Sequence, residues 1–326
     1  ATPFRRSTTG IILQDIKVLN LLIFESITAN LKNIKKSPKL LYQKEFKSMK
    51  MQGKAMIDAL YSDLKQVKQL NITIGKQRIG ETALEFFSDI IPKIDLVWVI
   101  APESNSELER FHIASQQKLW IGSDLQAIRL ASNKLETKKY LRSLGINTPD
   151  EITFESLRKK NYTELVYKPI DGAGTTDTYK IENKKDIIST LDKKPPCFFM
   201  EEWVEGTAYS VSLNCKQSGF DILSISKQHI TSNYLGKLFY EGVEPVESKM
   251  FKKLRDSILP ILHLIVSNIT GLRGFIGIDF ILKDNSQISI IEINPRLTCS
   301  YIGLSKYNND NTAVKILNSF EIKGLV

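Results

Sequence analysis

The chain has 326 residues, 42% of them apolar and 25% charged, with a net charge of +9 and three cysteines. This length allows two or three packed units with a sizeable core, and the composition is that of an ordinary globular protein. No stretch approaches the roughly 20 apolar residues of a membrane span, the N-terminus carries no apolar signal region, and Cys197, Cys215 and Cys299 lack metal-ligand spacing, so a reduced, cytoplasmic protein with no membrane partner and no structural zinc is expected.

The positive charge lies in the first 80 residues, which hold 15 Lys/Arg against 5 Asp/Glu. Residues 1–16 read as a polar arm. The Lys-rich stretch at 32–50 reads as a solvated surface, and without aromatic interleaving or helix-turn-helix spacing a nucleic-acid partner is disfavoured. Residues 18–24, VLNLLIF, have the length and continuity of a buried parallel strand. Phe46, Met49, Gly53, Met56, Ile57, Leu60, Leu64 and Val67 then recur at helical spacing. A second buried strand is predicted at 94–100, with a short third at 119–122. This alternation predicts an open α/β layer, in which ligands favour the carboxyl ends of strands. Ser26 and Glu103 sit just past such ends, as turn or cap residues.

Ser132-Asn133 opens a helix that stops at Gly145. Strands follow at 163–170, 197–204, 208–215 and 221–230. A helix at about 250–270 presents Leu254, Ile258, Ile261, Leu262, Ile265 and Ile269, and two further strands read GFIGIDFILK and QISIIEIN. In the last of these Glu292 and Asn294 are two residues apart and share a face, with Ile291 and Ile293 on the other. A two-residue turn at Asn285–Ser286 would set Asp279 opposite Glu292. Two opposed carboxylates on a half-buried sheet require a proton or a cation between them. Two carboxylates, an amide oxygen and substrate phosphates form a set suited to Mg²⁺. Arg296, just past the strand, is placed to meet negative charge on a phosphate or acyl phosphate. Upstream, VYKPIDGAGTT sets Lys168 before a polar loop in which Gly172 and Gly174 permit positive φ and close approach to phosphate oxygens. CFFMEEWVEG breaks a strand, freeing backbone groups to read an adenine edge beside Met200 and Val204.

Four stretches in order, SNKLETKKYLRSLGINTP, VYKPIDGAGTT, FFMEEWVEGTAYSVSL and GLRGFIGIDFILKDNSQISIIEINPR, resemble the ATP-grasp superfamily of D-alanine–D-alanine ligase and biotin carboxylase. The resemblance covers about residues 125–300. It implies an α/β protein with an ATP-grasp fold behind an N-terminal open α/β, Rossmann-like pre-ATP-grasp domain at 17–131. The small ATP-grasp subdomain would span 132–200 and the large one 201–326. It implies ATP and Mg²⁺ (or Mn²⁺) as cofactors. ATP would be bound by Lys134 and Lys168, by the loop Gly172, Ala173, Gly174, Thr175 and Thr176, and by a hinge of Glu201, Glu202 and Val204. Asp279, Glu292 and Asn294 match the metal ligands, and Arg296 matches an arginine beside the reacting carboxyl phosphate. One position departs: Ala208 stands where many relatives carry a ribose-binding glutamate.

A narrower likeness, carried by LLIFESITAN, MQGKAMIDALYSDL, VIAPESNSEL, GSDLQAIRLASNKL and EINPRLTCSYIGLS, is to the tyramine–L-glutamate ligase branch of methanofuran biosynthesis. It implies a ligase that joins a small-molecule carboxylate and an amine through an acyl phosphate. Arg273, Thr298, Ser300 and Tyr301 are then candidates for the acceptor end, and a homodimer is compatible with this reading. Two alternatives stay open: a bicarbonate-using carboxylase on the same fold, and a non-catalytic nucleotide- or nucleic-acid-binding protein.

Overall fold

The computed structural model describes residues 18–29, 40–78, 80–115, 117–182, 186, 189 and 195–322. The arm expected at 1–16 and the first part of the basic segment lie outside them. The expected strand at 18–24 is β1 (Leu19–Glu25), followed by a short α1 (Ser26–Ala29) and the long α2 (Leu40–Leu64). Next come β2 (Leu70–Ile74), α3 (Ala83–Ile90), β3 (Leu96–Ile100), α4 (Glu107–Ala114) and β4 (Leu119–Trp120). The four strands form a parallel sheet in the order β2-β1-β3-β4. Alternation along β1 divides its apolar side chains between two cores. Leu19, Leu21 and Ile23 meet Met56, Ile57, Leu60 and Leu64 of α2, while Leu22 and Phe24 meet Phe87 of α3 and Phe111 of α4.

Two adjoining helices, α5 (Leu125–Ser132) and α6 (Lys134–Ser143), follow. The Asn133 side chain accepts from the amides of Leu135 and Glu136, capping α6 and fixing Lys134 in its first turn. Beyond α7 (Phe154–Lys159) lies a three-stranded sheet in the order β6-β5-β7, built from β5 (Leu165–Pro169), β6 (Tyr179–Ile181) and β7 (Phe198–Glu202). The boundary expected between residues 200 and 201 therefore falls inside a strand: β7 pairs with β5 through Glu202. Met200, expected beside the base, is instead buried with Ile152 and Leu165 beneath this sheet.

An antiparallel sheet follows, in the order β10-β9-β8-β11-β12. Its strands are β8 (Thr207–Cys215), β9 (Phe220–Ser232), β10 (Leu238–Pro245), β11 (Gly274–Leu282) and β12 (Ile288–Asn294). Helix α8 (Ser248–Asn268) buries Leu254, Ile258, Leu262 and Ile265 against it, with Ile261 only partly covered. The chain then returns to the first sheet. Leu297, Tyr301 and Leu304 of α9 (Leu304–Asn308), with Ala313, Ile316 and Leu317 of α10 (Thr312–Asn318), belong to the same core as Leu19, Leu21 and Leu60.

The β11–β12 hairpin departs from its expected form. The Lys283 amide donates to the Gln287 carbonyl and Ser286 has φ +66°, so the loop holds three residues, Asp284 to Ser286, rather than two. That extra residue alone would break the pairing of Asp279 with Glu292. A β-bulge at Ile291 restores it: Phe280 pairs with Ile290, yet Asp279 pairs with Glu292. Ile291 is consequently turned to the site side with Glu292, not to the core side with Ile293.

Candidate active site

The three sheets enclose a cleft of about 1030 Å³. Lys134, Lys168, Gly172 to Thr176, Glu201, Glu202, Val204, Asp279, Glu292, Asn294, Arg296, Thr298 and Ser300, all singled out in the sequence, line it. Arg273 does not. It lies at the far end of β11 from Asp279, where its Nη2 donates to the Ser319 carbonyl at 2.7 Å and its guanidinium covers the Phe320 ring. Six residues of extended chain, about 20 Å, separate it from Asp279. Tyr301 also turns away from the cleft, and its hydroxyl donates to Asp63 on α2.

At the floor, Asp279 and Glu292 are direct cross-strand partners, and the Asn294 amide reaches Asp279 at 3.4 Å. Burial and the Glu292 charge push Asp279 up to about 7. Burial also pushes Glu292 upward, but Lys134 and Lys168 outweigh it and hold the carboxylate below its usual value. Lys134 lies 3.4 Å from Glu292 and donates to the Gly172 carbonyl. Among the described residues no group of three or more His, Cys, Asp or Glu side chains gathers as a metal site. The fit instead comes from two half-buried carboxylates, whose mutual repulsion a divalent cation would relieve, and an amide oxygen beside them, all hard oxygen donors.

The roof is the β5 strand and the loop after it. Lys168 lies 2.6 Å from Glu201, and Lys138, on α6, lies 2.8 Å from the other oxygen of the same carboxylate. Glu201, expected at the adenine hinge, thus turns its side chain to two ammonium groups. Of the two loop glycines Gly174 uses positive φ (63°); Gly172 does not, and a Cβ there would meet the Pro169 ring at 2.8 Å. The loop is tied on both sides: Asp171 accepts from the Asn105 amide at 2.8 Å, and Thr175 accepts from the Tyr240 amide at 3.1 Å. At the hinge the Glu202 amide is committed to the Asp150 carbonyl, while Val204 packs at the wall of the cleft.

At the other end Arg296 forms a bidentate pair with Glu103, Nε to Oε1 and Nη2 to Oε2, both at 2.9 Å. Both are nearly buried; burial alone would lower the arginine's pKa, but the Glu103 charge raises it. Beside them the Ser300 hydroxyl is 2.8 Å from both Ser212 and Thr298. Glu25, at the end of β1, accepts from the Thr28 amide at 2.6 Å, and burial raises its pKa. It abuts α2 at Gly53, where a Cβ would lie 2.5 Å from its carboxylate. Phe46, Met49 and Met56 of α2 also line the cleft, with the Met49 sulfur 3.9 Å from the Thr176 hydroxyl. Sequence reasoning missed Lys138, Glu25 and the role of Glu103. Only Lys138 left a signal, standing four residues from Lys134 on the same face of α6.

Comparison with known proteins accords with this arrangement. A family model described as ATP-grasp domain matches residues 131–300, and one described as pre ATP-grasp 3 domain matches 62–128. The chain belongs to the ATP-grasp family, which uses ATP and divalent metals. It is 28% identical to tyramine–L-glutamate ligase of Methanocaldococcus jannaschii over 97% of this chain and 96% of that one. With the tyramine–L-glutamate ligase of Methanocaldococcus fervens the identity is 30%, over 65% of this chain and 62% of that one. An ATP-grasp superfamily protein of Archaeoglobus fulgidus has the same fold, with a TM-score of 0.69, 20% identity and coverage of 92% of this chain and 88% of that one. The expected class, an ATP-dependent carbon–nitrogen ligase, stands on the family match and on relatives named as ligases.

Proposed function

We propose that this chain joins the γ-carboxyl of L-glutamate to the amine of tyramine, with ATP converted to ADP and phosphate. The observation that carries the reading is the convergence of Asp279, Glu292, Lys134, Lys168 and Arg296 on one cleft. Asp279, Glu292 and Asn294 would hold a magnesium or manganese ion, which when bound neutralises charge on the transferred phosphoryl group. Lys134 and Lys168 take the remaining phosphate charge. A substrate carboxylate oxygen attacks the γ-phosphorus and ADP leaves. The amine nitrogen then attacks the acyl carbon, loses a proton, and phosphate departs. Arg296, held by Glu103, meets the negative oxygens that develop between these steps. The protein positions and neutralises rather than reacting covalently.

The acceptor end supports the substrate pair. Apolar Phe46, Met49 and Met56 suit an aryl group, and the buried carboxylate of Glu25 suits an ammonium. The test is ADP release with Mg-ATP, L-glutamate and tyramine, with mass spectrometry of the product. ADP that needs both substrates, with a product one water lighter than their sum, is expected. ADP release driven by bicarbonate without any amine would replace this reading with a carboxylase.

A further inference from the structure

Lys138 is a lysine with no access to substrate. It is 2% exposed, on the third side of a cluster whose other members, Glu201 and Lys168, reach the cleft. Its Nζ lies 2.8 Å from Glu201 Oε2, a close ammonium–carboxylate contact. Burial pulls its pKa down to about 8 in spite of the carboxylate. A buried ammonium at this cost demands a reason.

The reason lies in the charge balance. Lys168 needs a partner to hold its long side chain on β5, and Glu201 supplies one at 2.6 Å. That partner alone would cancel the charge that Lys168 offers to a phosphate. With Lys138 added, two ammonium groups share one carboxylate and the cluster keeps a net +1. We propose that Lys138 is a positioning residue of the nucleotide site, neutralising Glu201 so that Lys168 is held in place without losing its attraction for phosphate. The proposal rests on the reading of this cleft as an ATP site.

The test compares binding of Mg-ATP and of adenosine by titration calorimetry in the full chain. In Lys138→Met the Lys168–Glu201 pair is left neutral. ATP should bind about tenfold or more weakly, adenosine within about twofold of the parent, and the KM for ATP should rise more than kcat falls. The double variant Lys138→Met, Glu201→Gln restores the net +1 and should recover most of the lost ATP affinity. A double variant that folds, as judged by its melting curve, but binds ATP no better than Lys138→Met overturns the proposal. So does Lys138→Met binding ATP as the parent does, or losing ATP and adenosine alike, since both outcomes make Lys138 merely structural. Parent protein that binds neither ligand would overturn the ATP reading itself, and the proposal with it.

Discussion

Asp279 shows what one side chain demands of its surroundings. Its folded pKa of about 7 lies above the unfolded value of 3.8. Between those values the folded state carries a proton that the unfolded state lacks, so this group's contribution to stability is present at low pH and lost as pH rises through 7. A divalent cation binds the ionised form. Magnesium should therefore raise the melting temperature clearly at pH 8 and hardly at pH 5; an equal rise at both would remove Asp279 from the metal site. Glu292→Gln should lower kcat by more than about 100-fold with the fold intact, because the proposed metal counter-ion of the attacked phosphoryl group would lose a fixed partner. Near-parental ADP formation by that variant would refute the metal assignment. Glu292 and Asn294 were legible because strand alternation is local. Glu103 was not: its partner Arg296 is 193 residues away, and only the meeting of two sheets joins them.

Elements were legible where burial is complete and hidden where it is partial. β1, β3, β11 and β12 carry long apolar runs that only a covered strand explains. β2, LNITI, is a half-buried edge strand, β6 has three residues, and β10 is an edge strand whose register slips between Tyr240 and Gly242. None of them offers a continuous pattern. The β11–β12 pairing was reached through an incorrect turn, because a longer loop and a compensating bulge leave the same two carboxylates opposed. Helix α2 carries its own test at Gly53. Replacing a mid-helix glycine with alanine adds up to about 1 kcal/mol of helix stability, but here the new methyl group would fall on the Glu25 carboxylate. Gly53→Ala should lower the melting temperature modestly, because displacing the buried Glu25 carboxylate outweighs the helix gain, leave the KM for ATP unchanged, and raise the KM for the amine several-fold. An unchanged amine KM would place the amine elsewhere.

Across the whole molecule, the parallel sheet does not own its core. Residues from 297 to 317 fill the space beside β1 and α2, and Asp63 of α2 receives hydrogen bonds from both Tyr301 and Ser305. Tyr301→Phe removes one donor from a partly buried carboxylate and should cost about 1–3 kcal/mol. Calorimetry should show the loss as a shift of one shared transition rather than the separate melting of an N-terminal unit. The sequence divided the chain by changes of pattern, and such changes cannot report a segment that travels back to an earlier layer. Among the described residues no helix is long and apolar enough to cross a membrane.

The Arg296–Glu103 pair has a mechanical consequence. It rivets the end of β12 to the end of β3 through a buried, two-pronged contact whose rupture costs several kcal/mol, about 3–5 for such pairs. The loop after β5 is held more lightly, by the bonds from the Asn105 amide to Asp171 and from the Tyr240 amide to Thr175, each worth about 1 kcal/mol. Ties so unequal mean that the loop of residues 171–176 would part from its neighbours at far smaller cost than the ends of β12 and β3 would part from each other.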